Sequence, residues 1–135
     1  MTTALLPFNE LQKQMYATLN GNISASVYDN VPENVTKPWV TIGEVTSVPD
    51  NWHDGFGWDC LATVHVWTKS RGFKSALDIA GEIVALLDHK VDSLAMAPSW
   101  SVVSIRLSQI QTLRDPDPEI RHVPVQFRIV IHQEA

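Results

Sequence analysis

The sequence predicts an α+β fold, in which one domain spanning residues 1–135 packs a mainly antiparallel sheet against two helices, in the order α-β-β-β-α-β-β. About five strands make up that sheet. Three observations predict this. Two segments repeat apolar residues at three- and four-residue steps, several others alternate with a period of two, and the joints between the alternating segments are rich in Pro, Asp and Gly. Strands joined by such turns pair antiparallel. A composition 44% apolar and 19% charged is that of a folded globular chain with a single core.

The first helix is read over residues 8–19, where Phe8, Leu11, Met15, Tyr16 and Leu19 recur at helical steps after Pro7 and before the stop signal Asn20-Gly21. A short strand at 26–28 and a second at 39–48, rich in β-branched residues, follow. The polar link between them carries Pro32 and Pro38 and lacks a glycine turn. Residues 49–57, PDNWHDGFG, read as a loop or long hairpin tip. The third strand, 58–68, carries bulk on both faces: Ala62, Val64 and Val66 against Leu61, Thr63, His65 and Trp67. It is expected at the centre of the sheet, covered on both sides.

The second helix rests on one stripe of Phe73, Ala76, Leu77, Ala80, Ile83, Val84 and Leu87, with Ser70 as its expected N-cap and Asp88-His89-Lys90 closing its C-terminal end. A fourth strand is read at 100–112, with Val103, Ile105 and Leu107 on one face and Val102, Ser104 and Arg106 on the other. RDPDPEIR breaks it. From Val123 to Ile131 the odd positions are apolar in strict alternation, and Pro124, which cannot donate to a ladder, is expected to put that end at a sheet edge or outside the pairing. Two helices cover about one face of such a sheet, so the other awaits either a partner subunit or the chain's own loops.

The net charge of −5, from ten basic and fifteen acidic side chains, comes with no Lys/Arg cluster, which argues against a tightly gripped nucleic acid. Cys60 is the only cysteine, so an intrachain disulfide and a cysteine zinc cage are excluded and a small buried hydrophobe is expected. The opening MTTALLPFNE lacks the basic and apolar regions of a signal peptide, and the chain is expected to be made in the cytosol with no membrane span. The sequons at Asn22 and Asn34 are read as chance matches.

For chemistry, His53 and Asp54, with Asp50 and Asp59 close by, are the nearest approach to a metal or acid–base cluster, but they fall in or beside one turn-rich loop without HExxH or HxH spacing. His65 reads as a half-buried sheet residue. There is no GxSxG elbow or phosphate-binding glycine pattern, and Cys60 has no oriented histidine in the sequence. No catalytic residue, cofactor or metal is therefore assigned. The five tryptophans, without interleaved Arg or Lys, read as core and interface residues; Trp52, in a polar loop with Phe56 nearby, is the one that reads as a contact for a protein partner.

The succession LQKQMYATL, VYDNVP, KPWVTIGE and then a strand ending HVWTKSRG before an amphipathic helix resembles the tail-completion proteins of long-tailed bacteriophages, also called tail-to-head joining or tail terminator proteins. The resemblance runs from Leu11 to about Leu87; beyond that only the strand pattern fits. It implies a non-enzymatic virion protein at the head–tail junction, assembled in the bacterial host cytoplasm. It further implies self-association into a hexameric ring that caps the tail tube, meets the head connector and lets DNA pass without specific binding. Expected contact residues are Trp52, His53, Asp54 and Phe56 in the 49–57 loop, and Asp115 and Asp117 in the segment 112–122. If Asp115 and Asp117 line the channel, their charge repels phosphate. Two other readings stay open here: a small metal-assisted hydrolase built on His53, Asp54, Asp59 and His65, and an adaptor binding a peptide along an unpaired edge near Pro124.

Overall fold

The structure, a computed structural model, describes residues 3–33 and 35–134; Asn34 of the second sequon lies outside them. Helix α1 (Phe8–Leu19) precedes strands β1 (Ser26–Tyr28), β2 (Trp39–Pro49) and β3 (Gly57–Lys69), helix α2 (Lys74–Leu87), and strands β4 (Trp100–Ile110), β5 (Leu113–Arg114) and β6 (Ile120–Gln133). The sheet runs β1-β2-β3-β6-β4, with β5 also on β6, and all its pairs are antiparallel except β1 with β2. The α+β class and the element order stand as read from the sequence.

The β1–β2 pair explains the link without a glycine turn. Ser26 lies beside Trp39 and Tyr28 beside Thr41 with both strands running the same way, so the chain must travel back the length of β1 before entering β2. A tight turn reverses direction and cannot make a parallel pair. Residues 29–33 and 35–38 belong to that return path.

One face of the sheet holds the core. Cys60, Ala62, Val64 and Val66 of β3 and Val123, Val125, Phe127, Ile129 and Ile131 of β6 are buried, and they meet Leu11, Met15 and Leu19 of α1 and Ala76, Ile79, Ala80, Ile83 and Leu87 of α2. Strands β3 and β6 share an unbroken ladder from Gly57 beside His132 to Lys69 beside Ile120, which keeps both buried rows in phase. Burial pushes the Cys60 thiol pKa up, as suits a core side chain.

Several expectations need correcting. Pro124 is not at an edge, because β6 lies between β3 and β4, with Pro124 opposite His65. What makes room for its missing N–H is a break in the other neighbour: β4 ends at Ile110, β5 starts at Leu113, and the Gln111 amide donates to the Pro124 carbonyl in between. The sheet edges are β1 on one side and β4 followed by β5 on the other, so β6 is flanked on both sides and the Pro124 carbonyl is already taken by the Gln111 amide, which leaves no unpaired β6 edge for the peptide reading. In β4 the register slips between Val102 and Ser104 and again between Leu107 and Gln109. The first bulge turns Val103 outward to 50% exposure while Val102 packs on the core, reversing their expected faces.

The α2 stripe is rotated as well: Ile79 is buried and Leu77 is exposed. Ser70 is not its cap, since Phe73 holds the N-cap position without a side-chain bond, and the Ser70 hydroxyl accepts the Gly72 amide. At the other end Asp88 is the C-cap, and its carboxylate accepts the Leu107 amide at 2.7 Å, tying α2 to the second bulge of β4.

Candidate functional site

The helices cover only one face. On the other, Leu61, His65 and Trp67 of β3, Trp39 and Thr41 of β2, and His122, Gln126 and Val130 of β6 are half-exposed, and Arg106 and Arg128 are exposed. Of the two covers considered for this face, the described loops reach only its margins. Within this chain β3 is therefore central and covered by helices on one face only.

A polar cluster occupies the middle of the open face. Nδ1 of His65 and Nε2 of His122 lie 2.6 Å apart, and Nε2 of His65 is 3.1 Å from Glu44. The His122 ring stacks on Trp67 at 3.8 Å with 4° between planes. Gly43 makes this possible: a Cβ there would lie 2.5 Å from Cδ2 of His65, so only glycine lets the imidazole settle across β2. Burial and the His65 charge pull the His122 pKa down, against the opposing pull of Asp115 and Glu44. Glu44, bonded by its own backbone amide and by His65, is held below the usual carboxylate value.

Toward one end of the strands, Arg128 holds Asp59 through two hydrogen bonds, Nε to Oδ1 at 2.9 Å and Nη2 to Oδ2, which lowers the Asp59 pKa. Toward the other end, Asp115 lines a groove of about 400 Å³ with Val31, Lys37, Trp39, Trp67 and Ile120, and the Lys37 ammonium lies 4.2 Å from the Trp39 ring centroid.

The 50–56 hairpin tip carries four of the expected contact residues. Trp52 is 42% exposed; its ring folds back over Gly55, where a Cβ would collide with it, and lies 4.3 Å from the His132 ring. His53 and Asp54 are exposed and Phe56 is half-exposed. In the β5–β6 turn, Asp115 and Asp117 each accept a backbone amide two residues on, from Asp117 and Glu119, so both carboxylates shape the turn that displays them. The structure separates these two groups of residues, placing them at opposite ends of the strands.

The residues of the hydrolase reading are not assembled. Asp59 is engaged with Arg128 and His65 with His122 and Glu44, while His53 and Asp54 project from the hairpin tip; among the described residues no group of three His, Cys, Asp or Glu is placed to hold a metal ion. No helix among the described residues is long and apolar enough to cross a membrane.

Sequence reasoning passed over His122, Glu44, Arg106, Arg128 and Arg121. His122, Arg106 and Arg128 share a signal, the polar phase of strands whose other phase is core, but their neighbours lie as many as 69 residues away in the chain, whereas Glu44 follows buried Val40 and Ile42 in the apolar phase of β2 and is turned outward only where the register slips between Ile42 and Val45. Arg121 is 3% exposed in the apolar phase of β6; its guanidinium donates to the carbonyls of Pro118, Ile120 and Arg71, clamping the β5–β6 turn to the segment before α2.

These features define a class: a compact α+β building block whose chemistry is spent on shaping an open sheet face and two displayed turns. The family described as tail completion protein gp17 matches residues 4–132, nearly the whole chain, and this protein belongs to that family. It is a structural protein of phage tails. Among solved structures, a chain of the virion of a native gene transfer agent particle has the same fold, with a TM-score of 0.84 at 19% identity over 96% of this chain and 99% of that one. No match is found among curated proteins.

Proposed function

We propose that the protein caps the head-proximal end of a phage tail tube as a hexameric ring and joins it to the head connector, with DNA passing through the lumen unbound. Membership of the tail completion family carries this reading. The half-exposed sheet face supports it, since such a face is suited to burial between subunits. So does the net charge of −5, which disfavours adhesion to phosphates. In a closed ring each subunit offers two different surfaces. The hairpin tip with Trp52, His53, Asp54 and Phe56 and the 112–122 segment with Asp115 and Asp117 are the assigned contacts with neighbours, tube or connector. The protein then resides in the virion at the head–tail junction after assembly in the host cytoplasm, and it works by shape, without turnover of a substrate.

Electron microscopy of particles made without this protein tests the reading. Filled heads separate from unjoined tails are expected. Complete infectious particles in its absence would overturn it.

A further inference from the structure

The cluster in the middle of the open face is a chain of three titratable groups with room for a limited number of hydrogens. Oε2 of Glu44 lies 3.1 Å from Nε2 of His65, and Nδ1 of His65 lies 2.6 Å from Nε2 of His122. Each contact takes one hydrogen. The ionised carboxylate only accepts, so Nε2 of His65 carries the first; the second sits on either of the two facing ring nitrogens. The pair is neutral while Nδ1 of His122 is bare and singly charged once that atom is protonated, and in both states the contact survives. A further proton has only a facing nitrogen left to occupy. It sets N–H against N–H and two imidazolium charges side by side, so the contact must break.

The surroundings decide which ring gives way. His65 lies across Gly43 and is 19% exposed, hemmed in by β2 and held by Glu44. His122 rests on the face of Trp67, a stack that a turn of its side chain can release while the β6 ladder stays in place. The carboxylates that act on His122 are Glu44 of β2 and Asp115 after β5, and both attract its imidazolium. Lys37, ahead of β2, shares the groove of Trp67 and Asp115, and the other polar side chains around the cluster, Thr63, Gln109, Gln111 and Gln126, are neutral. Arg114 and Arg121 turn to the Phe73 ring, on the side of α2.

We propose that His65 and His122 form an acid-operated latch, closed while one hydrogen bridges their facing nitrogens and open when both rings are protonated, which swings the His122 imidazolium off Trp67 toward Asp115. Opening bares the Trp67 ring and moves a cation into the groove that Trp67 and Asp115 wall, so that end of the open face changes shape with pH. The latch belongs to the single chain and stands apart from the ring reading.

NMR of the full chain through an acid titration tests it, following both imidazoles and the ring-current shift that Trp67 imposes on His122. In the parent the pair is expected to titrate in two steps more than about one pH unit apart, with the ring-current shift lost only at the second, while the amides of β3 and β6 keep their folded positions. In His65→Gln the conflict between facing N–H groups is gone, because the carboxamide oxygen accepts from the imidazolium. His122 should then titrate in one step, at higher pH than in the parent, and keep its stack. Asp115→Asn, which retains the oxygen that accepts the Asp117 amide, should move the second step of the parent to lower pH. A second step that leaves the ring-current shift in place, a His65→Gln chain that loses it on protonation, or loss of the β3–β6 ladder before the second step would each overturn the latch. An unmoved second step in Asp115→Asn would overturn the swing toward Asp115.

Discussion

Gly43 is the position where the smallest chemical change should have a large effect. A methyl group there would be 2.5 Å and 2.6 Å from Cδ2 and Nε2 of His65 and 2.8 Å from the Thr63 carbonyl oxygen. The imidazole can swing aside, but the carbonyl belongs to the β3 backbone and cannot. Relief requires a shift of about 1 Å, and overpacking of this kind costs about 1–3 kcal/mol. Moving His65 also breaks its 2.6 Å contact with His122, worth about 1 kcal/mol, while the Glu44 contact adds little because that carboxylate is 65% exposed. Gly43→Ala is therefore expected to lose about 2–4 kcal/mol, which for a chain of this size lowers Tm by roughly 7–14 °C. Gly81→Ala is the internal control, since that exposed glycine lies within α2 and a Cβ there meets nothing within 4 Å. It should gain about 0.5–1 kcal/mol from helix propensity. Urea titration of both variants, with imidazole resonances followed by NMR, measures the contrast. Gly43→Ala within about 0.5 kcal/mol of the parent, with His65 and His122 signals unmoved, would refute the packing argument.

Three further outcomes are expected. Phe127→Ala, at a fully buried site of the core, should cost about 3–5 kcal/mol in chemical denaturation. Trp52→Ala should cost only about 1 kcal/mol, because the ring is 42% exposed, yet weaken binding to purified tubes or connectors; unaltered binding would remove Trp52 from the interface. The His122 pKa lies below its ordinary value of 6.5, so between the two values the unfolded chain binds more protons than the folded one. Its contribution to stability is present above pH 6.5 and is lost as pH falls through the depressed value. His122→Gln should flatten that part of the stability profile and leave the separate losses from Glu44 and Asp59 at lower pH, as read by denaturant midpoints across a pH series.

The elements legible in the sequence were those whose pattern is local. The alternation from Val123 to Ile131 fixed the buried row of β6, and the 39–48 and 58–68 runs lie within one or two residues of β2 and β3. What was not legible depended on partners. A bulge is a relation between two strands, so nothing in Val102, Val103 and Ser104 alone reveals that the register slips there. Pro124 looked like an edge residue because its tolerance comes from a gap in the neighbouring strand, which lies in the residues between β4 and β5. The phase of α2 was misjudged because Leu77 and Ile79 fit the helical period equally well; contact with the sheet decides which is buried. The open face is legible only in outline: period two separates His65 and His122 from the core row, but their contact spans 57 residues and needs the β3–β6 register.

That register also constrains how the chain is born. The strand with the most central contacts, β6, leaves the ribosome after β1 to β5, yet it must slot between β3 and β4. Until it arrives, β3 has one bare flank and β4 has no neighbour at all, so a nascent chain ending before Ile120 can form helices and the β2–β3 hairpin but cannot shut its interior. Closure is then a late, long-range event set by search over distance and not by local turn formation. A translation product halted upstream of β6 would present sticky unpaired flanks, which makes this final insertion the step that admits a copy to the pool of usable parts.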